Sequence, residues 1–122
     1  MSSVWSQLNG DVLVVYFNDA KILDESKINQ IHTDLGEMVG KAESQKLLLN
    51  FQNVAFMSSA MIGKLILIYK RCKGDQVDLK FSNISPNIME VFKIMKLNKM
   101  FDMHDDEAKA IKAFEKKKGW FG

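Results

Sequence analysis

The stretch Leu47-Leu48-Leu49-Asn50-Phe51 constrains this chain more than any other. It is short, continuous and apolar. A strand with only one wet face alternates, whereas a run without alternation predicts a strand covered on both faces, which is central and parallel. Parallel neighbours need crossover connections, and the flanking segments supply them. Upstream, Ile28, Ile31, Leu35, Met38, Val39 and Ala42 fall at spacings of three and four, so a helix is predicted over Asp24 to Ala42 with Asp24 as its N-cap. Downstream, a second helix is predicted over Ser59 to Lys73, ended by Gly74-Asp75.

Before the first helix, Asn9-Gly10 separates a loosely alternating segment, Ser3 to Leu8, from the apolar run Val12 to Phe17. Asn-Gly tolerates the positive φ of tight hairpin turns, so a β-hairpin is predicted. After the second helix, Val77, Leu79 and Phe81 alternate with Asp78 and Lys80, as in a strand with one buried face. Pro86 breaks the chain, and Ile88, Val91, Phe92 and Met95 then mark a short helix. Met100 to Met103 suits a last short strand, and Asp105 and Asp106 suit the cap of a helix reaching Phe114. The order is β-β-α-β-α-β-α-β-α, an α/β class with a mixed sheet. A single domain over residues 1–114 is expected, with a loose tail over 115–122.

Composition narrows the functional classes. The chain has 122 residues and 47% apolar content, enough for one domain with its own core. The net charge of +2 argues against nucleic acid as a main partner. One cysteine, Cys72, excludes an internal disulfide and fits a reducing, cytoplasmic setting. No apolar run approaches the roughly 20 residues that span a bilayer, and the N-terminus lacks a secretory layout. There is no phosphate-binding glycine loop, nucleophile elbow or zinc spacing, so neither an enzyme nor a cofactor is expected.

The segment that can carry a function is Asn53 to Gly63, which joins the central strand to the second helix. Open α/β sheets gather sites at the carboxyl ends of their strands. Helix N-termini there present free N–H groups. Ser58 and Ser59 stand at that start, and either can cap the helix. Either can also accept a phosphate, which would add about −1.5 to −2 of charge. The helix itself is unusually apolar. Met61, Leu65, Ile68 and Cys72 run beside a stripe of Ile62, Ile66 and Tyr69, and the extra stripe can meet a neighbouring helix or a partner. Gly63 is read as a point of close approach to the sheet. His104, Asp105 and Asp106 fit capping better than metal binding.

The segment LLLNFQNVAFMSSAMIG over residues 47–63 resembles the hallmark of the STAS domain family. Supporting pieces are Ile22 to Glu25, Ser82 to Pro86 and Leu97 to Asp102. Three positions depart from the pattern: Asn50 and Ser58 stand where acids are frequent, and Met61 stands in place of a glycine. The resemblance implies a mixed sheet with helices mainly on one face and no enzymatic activity. For the anti-sigma-factor-antagonist branch it implies binding to a serine kinase that also holds a sigma factor. The kinase would phosphorylate the position of Ser59, and a phosphatase would reset it. The expected contact surface is Asp19, Met57, Ser58, Ser59, Ala60, Met61 and Ile62. The other reading is a constitutive scaffold or the cytosolic subunit of a transport system.

Overall fold

The computed structural model describes residues 2–120, without the side chains of 116–120. A five-stranded sheet forms the middle layer, in the order β1-β2-β4-β6-β7. The hairpin β1 (Val4–Asn9) and β2 (Val12–Phe17) is antiparallel, and Gly10 opens its two-residue turn with φ +63°. The turn is Gly10-Asp11, one position later than the Asn-Gly pair suggested, because Asn9 pairs with Val12. β4 (Lys46–Asn50) lies parallel between β2 and β6 (Asp78–Ser82). The central parallel strand is therefore where the unbroken apolar run placed it. β7 (Met103–His104) closes the far edge, three residues after the predicted start of a last strand at Met100. A 3-10 turn over Leu97–Lys99 precedes that segment.

Two strands of two residues each were not predicted. β3 (Lys21–Ile22) and β5 (Phe56–Met57) pair in parallel as a separate small sheet. Two residues are too few to show any periodicity.

Helices α1 (Glu25–Lys41), α2 (Ser59–Gly74) and α3 (Pro86–Ile94) cover one face of the large sheet. The predicted α1 stripe is buried in full, and Asp24 caps α1 by accepting from Lys27 N at 3.0 Å. Both stripes of α2 are used internally. Met61, Leu65, Ile68 and Cys72 are buried, and Ile66 and Tyr69 pack against the same cluster. Pro86 sits in the first turn of α3, behind the cap Ser85, where its missing N–H costs nothing. On α3 only Ile88 and Phe92 of the expected stripe are buried, while Val91 and Met95 are exposed.

Among the described residues, helix α4 (Glu107–Trp120) is the one that packs on the opposite face, where Ala110 and Phe114 meet Val12, Val14, Tyr16 and Leu48. It runs past the predicted end at Phe114. The expected loose tail falls largely on residues outside those described in full.

That fourth helix corrects the reading of β6. Lys80, expected in solvent, is 5% exposed. Its ammonium bonds Asp102 and lies 4.8 Å from the centre of the Phe114 ring. Alternation correctly assigned Lys80 to the second face, but that face is covered.

Gly63 is also corrected: an added Cβ would meet nothing within 4 Å, so no close approach occurs there. Among the described glycines the tight one is Gly36 on α1, where a Cβ would lie 2.8 Å from the Arg71 guanidinium of α2.

Candidate functional site

The corner where β4 hands over to α2 is built from two chain segments held together by backbone bonds. Ala20 O accepts from Ala55 N (2.8 Å) and Phe56 N (3.1 Å), and Ile22 O accepts from Ser58 N (3.0 Å). Asn53 Nδ2 adds a bond to Phe17 O at 3.3 Å. The entries to α1 and α2 are thus fastened side by side through β3 and β5.

The two serines divide the work. Ser58 takes the N-cap position with extended backbone (φ −79°, ψ 165°), and its Oγ accepts from Met61 N at 3.3 Å. Ser59 is the first residue of α2 and is exposed. Its Oγ has no hydrogen-bond partner among the described residues. Capping therefore accounts for Ser58 and leaves Ser59 unassigned by the fold. The first turn of α2 contains no acidic side chain, so nothing there opposes an added anion at the positive end of the helix dipole.

The expected contact residues separate on burial. Ser59 and Ala60 are exposed, and Ser58 is half-buried. Met57, Met61 and Ile62 are 6%, 0% and 2% exposed and belong to the core, so they cannot meet a partner without unfolding the corner. Met61 and Ile62 turn into the core from the first turn of α2, and Met57 does so from β5. Asp19 is half-buried and faces Lys27 Nζ at 3.4 Å, so it contributes an ion pair rather than a bare charge. The apolar surface at this corner comes from residues the sequence did not single out, Leu23 and Phe56, each 50% exposed. Leu23 directly follows β3 and Phe56 opens β5. A clue was available: both are large apolar residues beside turn-rich segments, outside any helical stripe.

Other titratable groups are committed elsewhere. Asp106 caps α4 by accepting from Lys109 N at 2.8 Å, Asp105 pairs with Lys109, and His104 contacts Asp102 at 2.8 Å. Burial pushes the Cys72 thiol up to about 11, which makes it an inert core group. His32 is held below its ordinary value by burial and by the nearby Lys64 and Arg71 charges. Asn50, at the end of β4, accepts from Gln52 N (2.9 Å) and donates to Glu107 (3.0 Å).

The STAS domain family model matches residues 6–110. This chain belongs to the STAS domain family. Three solved structures share the fold. A STAS domain protein from Planctomyces limnophilus is 22% identical with a TM-score of 0.80, over 93% of this chain and 98% of that one. An anti-sigma factor antagonist from Mycobacterium paratuberculosis is 18% identical with a TM-score of 0.79, over 90% and 91%. The cell fate determinant SpoIIAA of Bacillus, in its phosphorylated form, is 18% identical with a TM-score of 0.68, over 91% and 98%. Among the described residues of this STAS domain, no helix is long and apolar enough to cross a membrane.

Proposed function

We propose that this STAS domain is a non-enzymatic regulatory binding protein of the anti-sigma-factor-antagonist type, switched by phosphorylation of Ser59. The observation that carries the proposal is the division between neighbouring hydroxyls: Ser58 caps α2, while the Ser59 hydroxyl stands exposed beside it, with no bond among the described residues. The docking surface is Ser58, Ser59 and Ala60 together with Leu23 and Phe56, with the Asp19–Lys27 pair at its border. Leu23 and Phe56 provide apolar area to bury. The partner is a serine kinase that also holds a sigma factor, and a phosphatase resets the switch.

The fold tolerates the charge because helix N-termini favour anions. The complex does not tolerate it, since a phosphate of about −1.5 to −2 charge would have to lose its water against the partner. A loss of about 3 kcal/mol would weaken binding roughly a hundredfold.

Intact-mass and phosphosite analysis of protein from its native cells tests the switch, and a phosphate on Ser59 is the expected result. Binding assays with the kinase complete the test. Ser59→Ala should bind like the parent, and Ser59→Asp should bind far more weakly. If both variants match the parent, the switch is refuted. What then remains is the second reading, a constitutive scaffold or transport-system subunit, which Ser58 in the place of the family's acid favours.

A further inference from the structure

Among the described residues, the β1 edge of the large sheet is also exposed and without a partner. β1 reads Val-Trp-Ser-Gln-Leu-Asn over Val4–Asn9, with no charged residue, no proline and no bulge against β2. Sheet edges are normally blunted by such features, or by brevity, because their free N–H and C=O groups template another strand. The opposite edge follows that rule: β7 has two residues, with the Asp102–His104 pair at its start. β1 is six residues long and lies at the end of the strand order.

The hairpin register identifies which groups are free. A two-residue turn makes Asn9–Val12 a hydrogen-bonded pair. Alternation then makes Gln7–Val14 and Trp5–Tyr16 bonded pairs as well. The Asn18 N to Ser3 O bond at 3.2 Å continues the same alternation. Val4, Ser6 and Leu8 therefore turn their backbone groups outward. Ser2 Oγ donates to Val4 O at 2.7 Å and occupies that carbonyl. Ser6 and Leu8 keep both N–H and C=O unpaired among the described residues. Their side chains do not protect them, since Leu8 is 68% exposed.

The geometry points to a second copy of this chain as the occupant, paired antiparallel through β1 about a twofold axis at Gln7. Ser6 then stands opposite Leu8 of the second copy, and Leu8 opposite its Ser6. Each pair exchanges two backbone bonds, so the outward groups of both residues are satisfied and the two sheets become one. An isologous contact requires a self-complementary surface, and this one is: donors and acceptors alternate symmetrically about Gln7, and an uncharged strand carries no like-charge penalty against its own copy. The two Leu8 side chains lie diagonally on one face. Trp5, 46% exposed and stacked on Tyr16 at 4.2 Å, flanks the seam on the other. The Ser59 corner lies on loops beyond the opposite end of β2 from the hairpin turn, so the pairing is independent of the switch.

Sedimentation equilibrium of the full chain over a concentration series tests this pairing. The mass should rise from 13.9 kDa toward twice that value. Ser6→Pro removes one outward N–H and leaves the bonds to β2 in place, since proline is tolerated on an edge. Leu8→Lys places a charge on the edge. Each should weaken dimerisation at least about tenfold, with the far-ultraviolet circular dichroism of the parent retained. Amide exchange at Ser6 and Leu8, but not at Gln7, should slow as concentration rises. A parent chain that stays monomeric up to about 1 mM overturns the proposal, as does a dimer of parental strength in Leu8→Lys. If Ser6→Pro does not fold, Leu8→Lys decides alone.

Discussion

The two faces of the large sheet are held by different physics. On the α1–α3 face, Phe17, Phe51, Phe81 and Phe101 stack in a row, with ring centroids 4.6–5.4 Å apart, inside one apolar cluster that includes all the buried residues of α2. On the α4 face the apolar cluster is small, and polar groups carry much of the contact. Glu107 accepts from Tyr16 OH (2.6 Å), Asn9 (2.9 Å) and Asn50 (3.0 Å), and the ammonium of Lys80 is buried against Phe114. Burial alone would raise the Glu107 pKa, but these three donors outweigh it and hold the carboxyl below its ordinary value. The contrast teaches what each face depends on: the helix that presents Ser59 belongs to the apolar, aromatic-packed face, whereas the face behind it leans on the bonds of Glu107 and Lys80.

Mutations separate the faces most sharply in the core. Phe51→Ala, in the middle of the aromatic row and fully buried, should cost about 3–5 kcal/mol in urea unfolding. A loss below about 1 kcal/mol would mean the row is not the packed centre described here. On the other face, Asp102→Ala leaves the buried Lys80 ammonium with the more distant Asp78 carboxylate at 3.6 Å and should destabilise by about 1–2 kcal/mol, tempered because Asp102 is half exposed. Lys80→Met removes the charge and keeps the bulk, so it should cost less than Asp102→Ala. The reverse order would show that the ion pair itself is strongly stabilising.

Glu107→Gln should cost about 1–2 kcal/mol at pH 7. The Glu107 pKa is lower in the folded than in the unfolded chain. Its contribution is therefore complete above the unfolded value near ~4.3 and disappears as pH falls through the folded value. The gap between parent and variant should close when midpoints are compared at pH 7 and in that acidic window. Asp34, held low by bonds from Ser3 and Gln30 against the opposing effect of burial, keeps some acid sensitivity in both proteins. A gap that persists at low pH would assign the loss to packing.

The smallest effects concern the two serines. Ser58→Ala should cost about 1 kcal/mol through the lost cap. Ser59→Ala should change stability by less than about 0.5 kcal/mol. Equal costs would erase the distinction between the two hydroxyls.

Much of this architecture was legible in the sequence because it rests on long patterns. The α1 stripe, the Asp24 cap, the central strand and the α2 boundaries each follow from spacing or from one short-range bond. What was missed depends on contacts that no local pattern encodes. Lys80 looked solvated because nothing within β6 reveals that α4 crosses over it. Met57, Met61 and Ile62 looked available because they adjoin Ser59 in sequence, yet β5 sends Met57 inward and the first turn of α2 sends Met61 and Ile62 inward. Leu23 and Phe56 were passed over because their surface is made by pairing two-residue strands about 35 positions apart in the chain. The location of the site was readable from the strand-to-helix handover, but the identity of its exposed apolar groups needed the tertiary structure.

The assignment of the cap to Ser58 also bears on reversibility. A hydroxyl engaged in holding a helix end would have to release its backbone amide each time it changed chemical state, and every cycle would loosen and reform that turn. Ser59 has no such duty. Its oxygen can gain and lose a substituent repeatedly while α2 stays wound, so any message written there would be read by what approaches the molecule and ignored by the molecule itself.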